Sequence, residues 1–113
     1  MIDRKEMDID ITRNVKIIDW LKSQLLSDVA DLFKCLVRGI KEEMRESIED
    51  CISSIIVASY LLAKRLGVTY NSVELKIADK IRLGIIENHD VEKYYGDLSE
   101  LSHHMKLNRG KDK

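Results

Sequence analysis

Five carboxylates in this chain have the type and spacing to do chemistry: Asp28 and Asp31, three residues apart, and Glu46, Glu49 and Asp50, three and four apart. Residues at those intervals share a helix face. Two such faces brought together make an oxygen-lined site, and oxygen donors suit a hard divalent cation such as Mg2+. Asp28 and Asp31 lie within a helical stretch, where Asp is a poor helix former and like charges this close repel by about 0.2–0.5 kcal/mol. They also border an apolar stripe. Asp50 is enclosed by Ile48, Cys51 and Ile52, and Glu46, Asp50, Ser53 and Val57 form a stripe of their own. Carboxylates partly withdrawn from water need a cation, or they become protonated; the spacing is compatible with a metal site or with an interfacial polar cluster. Glu42 and Glu43 have a simpler role at a helix start, where the macrodipole favours acids.

The elements that must position these acids read as helices. Proline is absent, aromatic residues are 5% and charged residues 35% of the 113 residues, a composition that favours helix and a solvated surface. Thr12 or Asn14 can cap a first helix whose stripe is Ile18, Leu21, Leu25, Val29, Leu32 and Leu36, with Gly39 at its end. Residues 1–11 alternate charged and apolar side chains and read as a flexible lead-in or a short strand-like arm. A second helix is expected over 41–66, with Gly67 as its stop and Lys64 and Arg65 in its last turn. One of its faces carries Ile48, Ile52, Ile55, Ser59, Leu62 and Leu66, the opposite one Ser53, Val57, Tyr60 and Leu61. A helix apolar on both sides is buried on both sides, so the second face predicts a partner subunit, most simply a two-fold homodimer.

Thr69 can cap a third helix over 70–87, with Val73, Ile77, Ile81 and Ile85 inward and Gly84 weakening its end. Asn88-His89-Asp90 is a turn, and Asp97 with Glu100 makes a capping box for a last helix bearing Leu98, Leu101, Met105 and Leu107. Residues 108–113 form a polar tail. The expectation is an all-α antiparallel four-helix bundle over residues 12–107, with short connections.

Several function classes are disfavoured. A net charge of -1 gives no general attraction to nucleic acid or to an anionic membrane. The longest uncharged run, Cys51 to Ala63, is too short to span a bilayer, and the N-terminus lacks a signal peptide's apolar stretch; a cytoplasmic location is expected. Cys35 and Cys51 sit in apolar helical segments and read as small hydrophobes. His103 and His104 are adjacent and point about 100° apart on a helix, so they and His89 do not converge as metal ligands. The basic tail of Lys106, Arg109, Lys111 and Lys113 is short and interrupted by Asp112, a poor footprint for a nucleic-acid polymer.

The two acid-bearing stretches, followed by an apolar helix running into Leu66-Gly67-Val68, resemble the MazG-like family of the all-α nucleoside triphosphate pyrophosphohydrolases. That family carries Glu-Glu-x-x-Glu on one helix and Glu-x-x-Asp on the next. The stretch Leu25 to Lys34 matches the place of the first motif and Glu46 to Ile52 that of the second, while Tyr60 to Val68 and Glu92 to Ser99 look like its compact subgroup. The resemblance covers roughly residues 14–107. Here Ser27, Asp28 and Asp31 stand at the three Glu positions of the first motif, and Ser47, not Glu, lies three before Asp50.

The resemblance implies Mg2+-dependent (or Mn2+-dependent) hydrolysis of a nucleoside triphosphate to a monophosphate and pyrophosphate, by a homodimer or homotetramer. Asp28, Asp31, Glu49 and Asp50 would hold the metal, Glu46 would orient the attacking water, and Lys76, Lys80 and Arg82 would meet the phosphates. Trp20 and Tyr60 are aromatic faces for a base or for the core. The alternative is a catalytically degenerate member of the family that serves nucleotide sensing or protein interaction.

Overall fold

A computed structural model describes residues 3–39 and 42–111. They are helical: α1 Arg4–Val37, a 3-10 turn Glu42–Met44, α2 Arg45–Arg65, α3 Tyr70–Ile86, α4 Asp90–Tyr95 and α5 Asp97–Lys111. There is no strand among the described residues. The chain divides into two compact units, Met1–Tyr70 and Asn71–Lys113.

In the first unit α1 and α2 pack antiparallel. The first helix begins at Arg4, not at Thr12 or Asn14, because Asp3 is its cap: Asp3 Oδ1 accepts from the Glu6 N–H at 2.8 Å. Thr12 donates back to the Asp8 carbonyl at 2.9 Å, an ordinary mid-helix bond. Asn14 serves the other helix. Its Nδ2 donates to the Arg65 carbonyl at 3.3 Å, and Arg65 Nη1 donates to Asn14 Oδ1 at 3.4 Å. The last carbonyls of a helix lack intrahelical partners, and Asn14 supplies one for α2.

The interface runs along Leu21, 2% exposed, with Ile18, Leu25, Val29 and Leu32 half-buried; Leu36, expected on this stripe, is 41% exposed. On α2 the contact line is Ile48, Cys51, Ile55, Ala58 and Leu62. It is rotated from the expected face: Ala58 is 4% exposed, whereas Ile52 and Leu66 are 43% and 60% exposed. Interaxial distance depends on the side chains at the crossing, and the small Ala58 lets α1 come close there. The start of α2 expected at Lys41 lies outside the described residues; its first described turn is the 3-10 turn at Glu42. Its end is as expected, with Gly67 at φ +86 and the Val68 N–H reaching the Ala63 carbonyl at 2.8 Å.

In the second unit Ile81 is 7% exposed, with Val73, Ile77 and Ile85 half-buried. Gly84 has a packing role: a Cβ there would meet Leu98 Cδ1 at 2.7 Å, so the glycine seats the start of α5. The turn at Asn88 leads into the short α4, capped by His89, whose Nδ1 accepts from the Val91 N–H at 3.2 Å. The capping box expected from Asp97 and Glu100 is replaced. Glu92, reaching forward from α4, accepts from the Ser99 N–H at 3.1 Å and from the Ser99 hydroxyl. Those bonds hold the Glu92 carboxyl below its ordinary range. The side chains of Leu107 and of the tail, 108–113, lie outside the described residues. No helix among those described is long and apolar enough to cross a membrane.

Candidate functional site: the carboxylates and cavity of the first two helices

The antiparallel pairing of α1 and α2 puts one acid from each stretch within electrostatic reach of Cys51. Burial pushes the Cys51 thiol up, and the adjacent Cys35 and the carboxylates of Asp31 and Asp50 push it further. Both cysteines are free and partly buried. Asp31, Glu46, Glu49 and Asp50 are all exposed, and Glu46 stands in the first turn of α2. Among the described residues no three His, Cys, Asp or Glu side chains are gathered closely enough to hold a metal ion. Mg2+ is commonly held by one or two carboxylates together with substrate phosphates, keeping several waters. Exposed carboxylates without three converging ligands among the described residues fit a cation that arrives with a phosphate chain, not a preformed protein cage.

Asp28 is placed differently from the other four acids. It is 8% exposed. Gln24 Nε2 donates to its Oδ1 at 3.0 Å, and its Oδ2 is buried with no hydrogen-bond partner among the described residues. The side chain lines a cavity of about 320 Å3 whose walls include Trp20, Gln24, Ser53, Val57 and Leu61. Trp20 is 62% exposed, so its ring is open to a ligand. The cavity adjoins Asp31 and Asp50 along the two helices: Asp28 is three residues before Asp31, and Ser53 three after Asp50. Each interval is nearly one turn, about 5 Å along the helix.

Gln24 was not singled out from sequence. Its signal is the Gln–Asp pair at four residues' spacing, which bonds along a helix face.

Lys76, Lys80 and Arg82 are exposed on α3, and Arg82 Nη2 lies 3.4 Å from Asp79 Oδ1. They belong to the second unit. Tyr60 stands edge-on to Tyr70, with ring centroids 6.0 Å apart.

No curated protein and no solved structure matches this chain. A family model does, that of the MazG-like family, over residues 11–98. The match takes in α2, α3, α4, nearly all of α1 and both acidic stretches. With most of its length covered in this way, the chain belongs to the MazG-like family.

Proposed function

We propose that the chain is a nucleotide pyrophosphohydrolase-type module that splits a nucleoside triphosphate into a monophosphate and pyrophosphate with Mg2+ or Mn2+. The observation that supports this reading is the MazG-like family match over residues 11–98, which takes in both acidic stretches, on two helices that pack antiparallel. Asp31, Glu49 and Asp50 would hold the cation. The cation, when bound, offsets charge on the phosphates during attack by water. Glu46 lies four residues before Asp50 on the same helix face and orients that water. Asp28, which the family pattern would count as a metal ligand, accepts from Gln24 and lines the cavity.

The acting form is a homodimer or homotetramer, in the cytoplasm. Among the described residues the buried apolar side chains are Leu21, Ala58 and Ile81, while Leu26, Phe33, Ile52 and Ile56 stay 73%, 61%, 43% and 51% exposed. A chain with so little core gains stability by association. Leu26, Phe33, Ile52 and Ile56 offer the partner one apolar flank, and Val57 and Leu61, 57% and 42% exposed, offer it another. Ile56→Asp should then dissociate the oligomer in sedimentation.

A second reading, a binding module without turnover, is favoured by the absence of three converging ligands among the described residues and by Ser27 and Ser47 at two Glu positions. Pyrophosphate release from a panel of nucleoside triphosphates decides between them. Metal-dependent release that disappears in Asp50→Asn supports the hydrolase. No release from any nucleotide at high protein concentration leaves the binding module.

A further inference from the structure

We infer that the cavity beside Asp28 is a base-reading subsite selecting nucleobases that carry an exocyclic amino group, an inference that rests on the nucleotide reading above. The starting point is the unmatched oxygen. Asp28 is 8% exposed, its Oδ1 is taken by Gln24 and its Oδ2 has no partner among the described residues. Buried polar groups are nearly always hydrogen-bonded, and one left unpaired calls for a missing donor. Ser53, on the cavity wall, does not supply it, because its hydroxyl donates to the Glu49 carbonyl at 2.7 Å. Nor does the described protein gather a third ligand for a cation there.

The cavity walls say what kind of donor fits. Trp20 offers an exposed aromatic plane, and Val57 and Leu61 offer apolar surface. Apolar walls with one fixed polar acceptor suit a flat heterocycle, and bases stack on aromatic side chains. The position suits a nucleotide as well. Asp31 follows Asp28 by nearly one turn of α1, on the side toward which the phosphates of a bound nucleotide would extend. A carboxylate only accepts. The amino group of cytosine or adenine meets it with an N–H. Uracil presents its ring N–H between two carbonyl oxygens, whose partial charges oppose the carboxylate. Sites built around one buried hydrogen bond reject a ligand that cannot make it.

Cytidine and uridine triphosphates differ at this edge and are close in shape, so they form the test, with adenosine triphosphate as a larger amino-bearing base. Trp20 is the only tryptophan in the chain, and its fluorescence reports occupancy of the cavity. With Mg2+ present, the cytidine and adenosine nucleotides should quench Trp20 and bind at least about tenfold tighter than the uridine nucleotide. Asp28→Asn should bring that ratio near one. Circular dichroism checks folding. Should Asp28→Asn not fold, Trp20→Leu, followed by calorimetry, should weaken the cytidine and adenosine nucleotides by about fivefold or more, and unchanged affinity would overturn the subsite. Equal binding of cytidine and uridine nucleotides, or binding without quenching, overturns it and leaves the hydrolase reading standing. No binding of any nucleotide overturns both.

Discussion

Asp28→Asn isolates the energetic cost of the unmatched oxygen. Asn has almost the same volume, and the two residues have similar helix propensities, so local preference does not decide the outcome. The bond from Gln24 Nε2 to Oδ1, 3.0 Å long, survives. What changes is the second atom, from a buried carboxylate oxygen without a partner among the described residues to an amide nitrogen without one. An unpaired neutral group costs about 1–3 kcal/mol when buried, and a charged one more. The difference favours the variant by about 1 kcal/mol in the absence of ligand. For a chain of this size that is roughly a 4 °C rise in Tm. The assay is thermal unfolding followed by circular dichroism at one fixed protein concentration, because association makes Tm depend on concentration. A fall of several degrees would refute the reasoning, since Oδ2 would then be satisfied in the free protein. The same substitution is expected to erase base preference, so stability and selectivity should move in opposite directions.

Leu21→Ala, at a side chain 2% exposed in the α1–α2 interface, should lose about 2–5 kcal/mol in urea unfolding; a loss under 1 kcal/mol would show that the interface is not the core. Mg2+ alone should leave Tm unchanged, whereas Mg2+ with a nucleoside triphosphate at about 100 times its Kd should add about 2.7 kcal/mol, because three converging ligands are lacking among the described residues. Ser99→Ala removes the hydroxyl bond that, with the backbone bond, lowers the Glu92 pKa. A lowered carboxyl pKa contributes stability above its unfolded value and loses it as pH falls through the folded one. The variant's deficit should therefore be full at neutral pH and shrink in acid, and a deficit independent of pH would count against the Glu92 assignment.

The features legible in the sequence are those set by local chemistry. Gly67 stops α2 because only a residue free of a Cβ takes its positive φ without strain, and the turn at Asn88 falls where its residue types put it. The start of α1 was not legible in the same way. Asp8-Ile9-Asp10-Ile11 has the period of a strand, yet a helix capped by Asp3 runs through it. The capping of α5 escaped for a tertiary reason: Glu92 reaches Ser99 across seven residues, and the Gly96 turn brings it there. Asp28 stood out as an Asp in mid-helix beside apolar residues, but spacing alone could not separate it from Asp31. The difference is burial, which depends on how α2 lies across α1.

The two paired helices differ in length, and that leaves one of them with an overhang. Asn14 bonds to Arg65, the last residue of α2, so Arg4 to Arg13 continue beyond the end of their neighbour, roughly 15 Å of helix. Every one of those side chains is exposed. A helix this short is marginal in water by itself. Its order is inherited from the paired turns that follow, in the manner of a cantilever anchored at Asn14. Substitutions along it are therefore tolerated as long as they keep helix propensity, and a single proline near Arg13 would sever the whole arm while sparing the carboxylates and the cavity.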